Sequence, residues 1–515
     1  MTNAPGSGRA SIPEEASMNL RAGMLGTACA AMLVAGEAAA QAPPRDAFHW
    51  IGEMNRASTV MVVSTGIVDR ELGRTIANAV AQVIANGARP GAERSADYLR
   101  VEPLLIAAGG PDVSRMHSGR SRQDMGSTTH RLFLRDAFLD NAASLNAARA
   151  AILAFARTAP DAVMPAYTMG VMAQPVTLGH YLSGYLGAMQ RQADRMREAY
   201  ARLNLSPLGG AAVGTSSFAV DRRQLASLLG FDAPVENSFD GNHVSPYDLN
   251  VELASLAASS AITTGALMTE LLDQYRQARP WFLLAAEDMG SSSIMPQKRN
   301  PVPLLTIRTQ AGRVIGAAQT AILVGHNVGP GALDTRGDDA RAAVMEAARM
   351  QAAVARLFPT LRFDRARALE EVEGDYATST ELADVLQREA NVPFRVGHHF
   401  ASELVNYGRS RGLRPADLPF AAAVEIYAVT ARHMLGPQAD ARFPLSEERF
   451  RASLSAEGMV RASRGLGGPQ PDEVARMLDA LAARLAADQA WLAGRRQALA
   501  SATATLDAAF DALRR

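Results

Sequence analysis

Along most of this chain apolar residues recur at spacings of three and four, and no alternating Val/Ile/Thr runs stand out, so helix is the expected state. From Phe48 to about Ser118 the helical patterns are short, broken at Gly87, Pro90-Gly91 and Gly109-Gly110-Pro111. Beyond that they lengthen. Thr128–Arg157 contains neither Pro nor Gly and sets Phe138, Ala142, Leu145 and Ile152 on one face. Leu182, Leu186, Met189, Ala193, Met196, Tyr200 and Leu203 form a heptad-like seam, the mark of a bundle helix, and its methionines read as core. Tyr247–Arg279 runs unbroken and predicts a helix of roughly 50 Å at about 1.5 Å per residue. Leu249, Leu253, Leu256, Leu267 and Leu271 supply its apolar face, and Gly265 with the intervening Ala, Ser and Thr permits close helix approach. Thr306–Val324 predicts a fourth helix. After about Leu361 the patterns shorten again, and Asp472–Arg515 reads as a helical hairpin turning near Ala493-Gly494.

Length divides this all-α pattern, because 515 residues exceed what one core usually supports. The expected organisation is a leader region over 1–42, an N-terminal helical domain over 43–120, a central long-helix bundle over 121–362 and a C-terminal helical domain over 363–515. Helices so long and slim bury little within one small domain, so association of several chains into a shared bundle is the economical arrangement. The 52 basic and 52 acidic side chains cancel, which removes any basic field for nucleic acid or an anionic membrane.

The leader has its own pattern. Met18-Asn-Leu-Arg21 is followed by the apolar run Ala22–Gly36 and by small residues at Ala38-Ala-Ala-Gln-Ala42, a secretory signal pattern too short for an ordinary membrane span. Export, into a periplasm-like compartment, is the expectation, with no membrane insertion after cleavage. Cys29 is the only cysteine and lies inside that leader, so the cleaved chain would have no disulfide, thiol nucleophile or thiolate metal site.

The most chemically informative segment is Gly290-Ser-Ser-Ser-Ile-Met-Pro-Gln-Lys-Arg-Asn-Pro301. Small residues lead into a turn held at both ends by Pro296 and Pro301, carrying cationic and amide side chains, Lys298 and Asn300 among them. Met116-His-Ser-Gly-Arg-Ser-Arg-Gln-Asp124 places arginines at the start of a long helix, where free backbone donors and guanidinium suit a carboxylate. The bland reading there is a capping turn with solvated arginines. His180, at another helix start, reads as a structural residue. A third segment is Met164-Pro-Ala-Tyr-Thr-Met-Gly-Val-Met-Ala-Gln-Pro-Val-Thr-Leu-Gly-His180.

Together these resemble the active-site segments of the fumarase/aspartase/argininosuccinate lyase superfamily, argininosuccinate lyase in particular. The patterns are Gly-Ser-Ser-x-Met-Pro-x-Lys-x-Asn-Pro, His-Thr-Gly-Arg-Ser-Arg-Asn-Asp and Met-Pro-Gly-Tyr-Thr-His-x-x-x-Ala-Gln-Pro-Val-Thr-x-Gly-His. Weaker likeness runs through Thr378-Ser-Thr-Glu-Leu-Ala-Asp384, Val392-Pro-Phe-Arg395 and Gly467-Gly-Pro-Gln-Pro471, so the resemblance covers about residue 48 to the end.

The resemblance implies a homotetramer with each site assembled from three subunits, no cofactor and no metal. It also implies a reaction that takes a proton from the carbon beside a carboxylate and expels an amine or hydroxyl to leave fumarate. Carried over by position, Ser292 would be the general base and Lys298 the cation behind it. Arg122, Gln123, Thr168 and Asn300 would bind substrate carboxylates. Serine is a weak acid, so such a base needs backbone donors, a cation and a dry site.

This chain departs from the pattern at telling places. The family histidine after Tyr-Thr is Met169, and the glutamate often paired with it is Leu305; both halves of an ionisable pair are apolar, which avoids stranding one charge. Gln123 replaces an asparagine. Gly331-Ala-Leu-Asp-Thr-Arg-Gly-Asp338 replaces a Tyr-Asn-Lys-Asp-like run, making Arg336 a candidate substrate contact. The expectation is a carbon–nitrogen lyase acting on an N-succinyl amine, argininosuccinate or a related aminodicarboxylate. The alternative is a dicarboxylate-binding pseudoenzyme of the same fold, and a hydratase is a third reading.

Overall fold

The computed structural model describes residues 44–332 and 337–515, so the expected leader and Arg336 lie outside the described residues. Three short helices open the chain: α1 (Ala47–Ser64), α2 (Arg70–Gly87) and α3 (Tyr98–Gly109). Each is started by an aspartate whose carboxylate accepts a first-turn N–H: Asp46 from His49 at 2.9 Å, Asp69 from Leu72 at 2.8 Å and Asp97 from Leu99 at 3.1 Å. Met54, Met61, Ile76 and Leu105 close an apolar core between them.

The bundle follows. α4 (Arg122–Thr158) leads to the antiparallel hairpin β1 (Val163–Thr168) and β2 (Val171–Thr177), then α5 (Leu178–Leu203). A short parallel pair, β3 (Leu205–Ser206) with β4 (Ala233–Pro234), flanks α6 (Arg222–Leu228). α7 (Ser245–Asp273), α8 (Val302–Val324) and α9 (Asp339–Leu357) complete the bundle. All seven residues of the predicted seam in α5 are buried in its core, as are Phe138, Ala142, Leu145 and Ile152 of α4.

α7 is shorter than expected. It ends at Asp273, because the Gln274 side-chain oxygen accepts the N–H groups of Trp281 and Phe282 at 2.8 and 2.7 Å and folds the chain back. The returning segment forms β5 (Phe282–Leu283), paired with β8 (Arg362–Phe363). Between β5 and α8 lies a small hairpin of β6 (Gly290–Ser291) and β7 (Arg299–Asn300).

The C-terminal part carries α10 (Arg365–Glu373), α11 (Ser379–Ala390), α12 (Phe394–Ser410), α13 (Phe420–Leu435), α14 (Glu447–Ser453) and α15 (Ala456–Ala462). Phe400, Tyr427 and Phe450 centre a separate core there. α16 (Pro471–Arg514) overturns the expected hairpin: it is one continuous helix of 44 residues. Leu478, Leu485, Leu492, Leu499, Leu506 and Leu513 fall every seventh residue along it, a continuous apolar seam. Against that, one internal glycine costs only about 1 kcal/mol. The helix leaves the C-terminal core altogether: Val474, Leu478, Leu485 and Leu492 join the bundle core, and Leu506 and Phe510 join the N-terminal one.

Candidate active site

The segment 290–301 folds as a tight hairpin at the start of α8. Gly290 pairs with Asn300 and Ser291 with Arg299, so Ser292 through Lys298 form the loop. A Cβ on Gly290 would lie 2.7 Å from Val302 Cγ2, which is why the ladder accepts no side chain there. The Ser292 hydroxyl oxygen accepts the Met295 N–H at 3.1 Å, and the Lys298 N–H donates to the Met295 carbonyl at 3.1 Å, closing a turn with Pro296 inside it. Ser292 and Asn300 are half-buried and Lys298 is exposed. Asn300 Nδ2 lies 3.5 Å from the Ser291 carbonyl, a weak tie.

At the start of α4, Ser121 and Asp124 form a reciprocal capping box. Gly119 precedes it at φ +70°, and a Cβ there would meet Val220 Cγ2 at 2.2 Å. The two arginines divide. Arg120 is buried, donating to Asn55 Oδ1 at 3.1 Å and Ser58 Oγ at 3.0 Å, so it locks the turn onto α1. Arg122 is exposed and has Asp97 at 3.6 Å, which leaves its guanidinium available to an incoming carboxylate. Burial and the Arg120 charge push the His117 imidazole down to about 3, so it is neutral and stacks on Tyr98. Asp124 is buried and its carboxyl is raised to about 6 by desolvation, offset by N–H donors from Ser121, Met125 and Gly209.

Gln123 does not present its amide nitrogen freely: Nε2 donates to the Gly331 carbonyl at 3.0 Å. His243 packs against the same glycine, and Tyr247 donates to the Gly329 carbonyl. Asp124 closes the segment quoted from the sequence, but Asp97, His243 and Tyr247 were not singled out there. Of these, only Asn242-His243 just ahead of α7 offered a local signal, as polar residues at a helix start.

Thr168 ends β1 and is exposed. The hairpin turns on Met169 and Gly170, both at left-handed φ (54° and 78°), as a two-residue turn of primed type requires. Met169 is 101% exposed, and Leu305, one turn into α8, is 39% exposed. The expected apolar contact between them is therefore not made within one chain. His180 is structural, as read: its N–H donates to the Thr177 cap, and its Nε2 lies 3.0 Å from the Gly467 carbonyl.

The three segments line no common cavity among those described. Arg122 lines a cavity of about 360 Å³ with Asp97, His130 and Asp338. Tyr167 and Met169 line another of about 390 Å³, and Ser292, Lys298 and Asn300 belong to neither. Among the described residues no group of three or more His, Cys, Asp or Glu is placed to hold a metal.

Residues 78–316 match the lyase family, and residues 376–461 match the argininosuccinate lyase C-terminal family. An argininosuccinate lyase from Methanoculleus marisnigri is 33% identical over 469 residues, 89% of this chain and 92% of its own. Among solved structures, an EDDS lyase variant with bound fumarate is 30% identical, with a TM-score of 0.81 over 91% of this chain and 92% of that one. A fumarate lyase from Mesorhizobium, at 18% identity, shares the fold with a TM-score of 0.65 over 84% of this chain and 95% of its own. The chain belongs to the argininosuccinate lyase-like group of the fumarase/aspartase superfamily.

Proposed function

We propose that this lyase eliminates fumarate from an N-substituted aspartate, argininosuccinate or a related aminodicarboxylate, in an exported homotetramer and without a cofactor. Ser292, as alkoxide, takes the proton from the carbon beside the carboxylate. The electron pair spreads into that carboxylate as a dianion and then forms the double bond as the C–N bond breaks; the leaving nitrogen, protonated as it departs, takes the bonding pair and leaves as the neutral amine. The observation that carries this reading is the hairpin geometry. Ser292 Oγ already receives a backbone N–H, 3.1 Å from Met295, within a loop that also carries Lys298 and Asn300. A fixed donor of this kind favours the anionic form of the base, and Lys298 and Asn300 suit the growing carboxylate charge. The fumarate bound by the related EDDS lyase variant supports the same product.

That the three segments line no common cavity among those described supports a shared site. So does the outer face of α8, where Leu305, Ile322 and Leu323 are 39%, 44% and 72% exposed, with Ile262 of α7 at 63%. Exposed apolar residues on long bundle helices suit burial against copies of the chain.

A second reading, a dicarboxylate-binding pseudoenzyme, is favoured by Met169 and Leu305 standing where the family has an ionisable pair. Fumarate release followed by absorbance in the ultraviolet, on adding argininosuccinate and other N-substituted aspartates, separates the two. The lyase reading expects fumarate with at least one, lost on the order of 1,000-fold or more in Ser292→Ala while the ligand still binds. Absence of fumarate with every candidate, and unchanged ligand binding in Ser292→Ala, would establish the pseudoenzyme. Malate dehydration tests the hydratase reading in the same assay.

A further inference from the structure

Beneath the β1–β2 hairpin, where α7 turns back toward β5, is the cavity of about 390 Å³ that holds none of the signature-loop residues. Its walls are aromatic. Tyr167 and Trp281 lie nearly parallel with centroids 6.5 Å apart, and Tyr181 and Phe282 are 6.4 Å apart. Glu270, Asp273 and Arg276 also line it and are exposed; Arg276 engages Asp273 at 3.2 Å, while Glu270 bonds the Tyr181 hydroxyl and has no arginine or lysine partner among the described ion pairs. Trp281 is 3% exposed, and its indole N–H is buried with no hydrogen-bond partner. That ring is already a cation platform, with the Arg367 guanidinium 5.9 Å from its centroid.

Ring faces with a carboxylate at the rim attract an organic cation through the ring quadrupole and the charge together. A phosphate or a dicarboxylate would meet the Glu270 carboxylate, the one lining charge without a partner of opposite sign among the described ion pairs. We propose that this cavity binds a small organic ammonium, its charge against Glu270 and its carbon chain against Tyr167 and Tyr181. The cavity is lined by Met169 but by none of Ser292, Lys298 and Asn300, so binding there does not need the Ser292 chemistry.

Calorimetric titration of the full-length protein tests this with aminobutanol as the cation and butanediol as its neutral counterpart. Saturable binding of aminobutanol is expected, with butanediol weaker by about tenfold or more. Glu270→Gln, a substitution at an exposed position that leaves the fold alone, is expected to weaken aminobutanol by a similar factor. Ser292→Ala is expected to bind it as the parent does. Equal binding of butanediol, indifference to Glu270→Gln, loss of binding in Ser292→Ala, or no saturable signal each overturns the proposal.

Discussion

α16 is held to the bundle by a buried ion pair, and breaking it should release the helix. Asp488 is 3% exposed and receives Arg149 Nη1 at 2.8 Å, Gln190 Nε2 at 3.1 Å and Arg197 Nη1 at 3.3 Å. The Arg149 side chain is only 2% exposed, and its other acceptors are Asn146 Oδ1, at 3.0 Å, and Gln190 Oε1. Burial works against its charge and Asp488 sustains it. Asp488→Leu therefore strands a guanidinium among neutral acceptors, a loss of about 3–5 kcal/mol. Arg149→Met is milder, because Asp488 keeps Arg197, which reaches solvent. The double variant should recover much of the loss, since neither charge is then buried alone. Native-state hydrogen exchange over residues 478–499 reads the local opening directly, where a global melt of the proposed tetramer would not be two-state. Asp488→Leu should speed exchange there by about two to four orders of magnitude, at about 1.4 kcal/mol per tenfold. An acceleration under about tenfold, or a double variant as fast as the two singles combined, refutes the reasoning.

Three other outcomes follow from single positions. Gly494 sits inside α16 with open space where a Cβ would be, so Gly494→Ala should raise the stability of that helix by about 0.5–1 kcal/mol in the same exchange measurement. Met169 occupies a left-handed conformation that asparagine tolerates better, so Met169→Asn should gain about 0.5–1 kcal/mol in chemical denaturation, whatever it does to turnover. His117 binds its proton at about 3 when folded against an ordinary 6.5, so stability falls as pH drops from 6.5 toward 3, and His117→Gln should flatten that fall in denaturation midpoints. Asp124, raised to about 6 from 3.8, opposes it between pH 6 and 4, so the flattened profile should turn over and show stability rising there as pH falls.

The long helices were legible because three-and-four spacing repeated over many turns states both the element and its buried face. α9 was not singled out: Ala340, Ala343 and Ala347 bury as helix contacts but leave a faint apolar signal. The end of α7 was misplaced because it depends on what the Gln274 side chain bonds, and periodicity does not report that. The hairpin expected in α16 came from weighing Gly494 above six leucines at sevenfold spacing. A local breaker worth about 1 kcal/mol does not stop a helix whose apolar seam continues on both sides of it.

The candidate site divides along the same line. Features set within about ten residues were readable, such as the Ser121 cap and the Pro296 turn. Features set by distant partners were not: Arg120 and Arg122 are two residues apart, yet α1 buries the first and leaves the second to solvent. Gln123 likewise spends its amide nitrogen on Gly331, 208 residues away, so exchanging asparagine for glutamine here extends a side chain that also anchors a loop. Met169 is the limiting case. A side chain fully exposed on its own chain is selected by whatever lies opposite, and on the proposed tetramer that is another copy. The apolar exchange at Met169 and Leu305 is then a change in what two copies present to the substrate between them. On that argument the specificity of this lyase is a property of the junction, and substitutions there should alter the preferred amine before they alter the stability of the single chain.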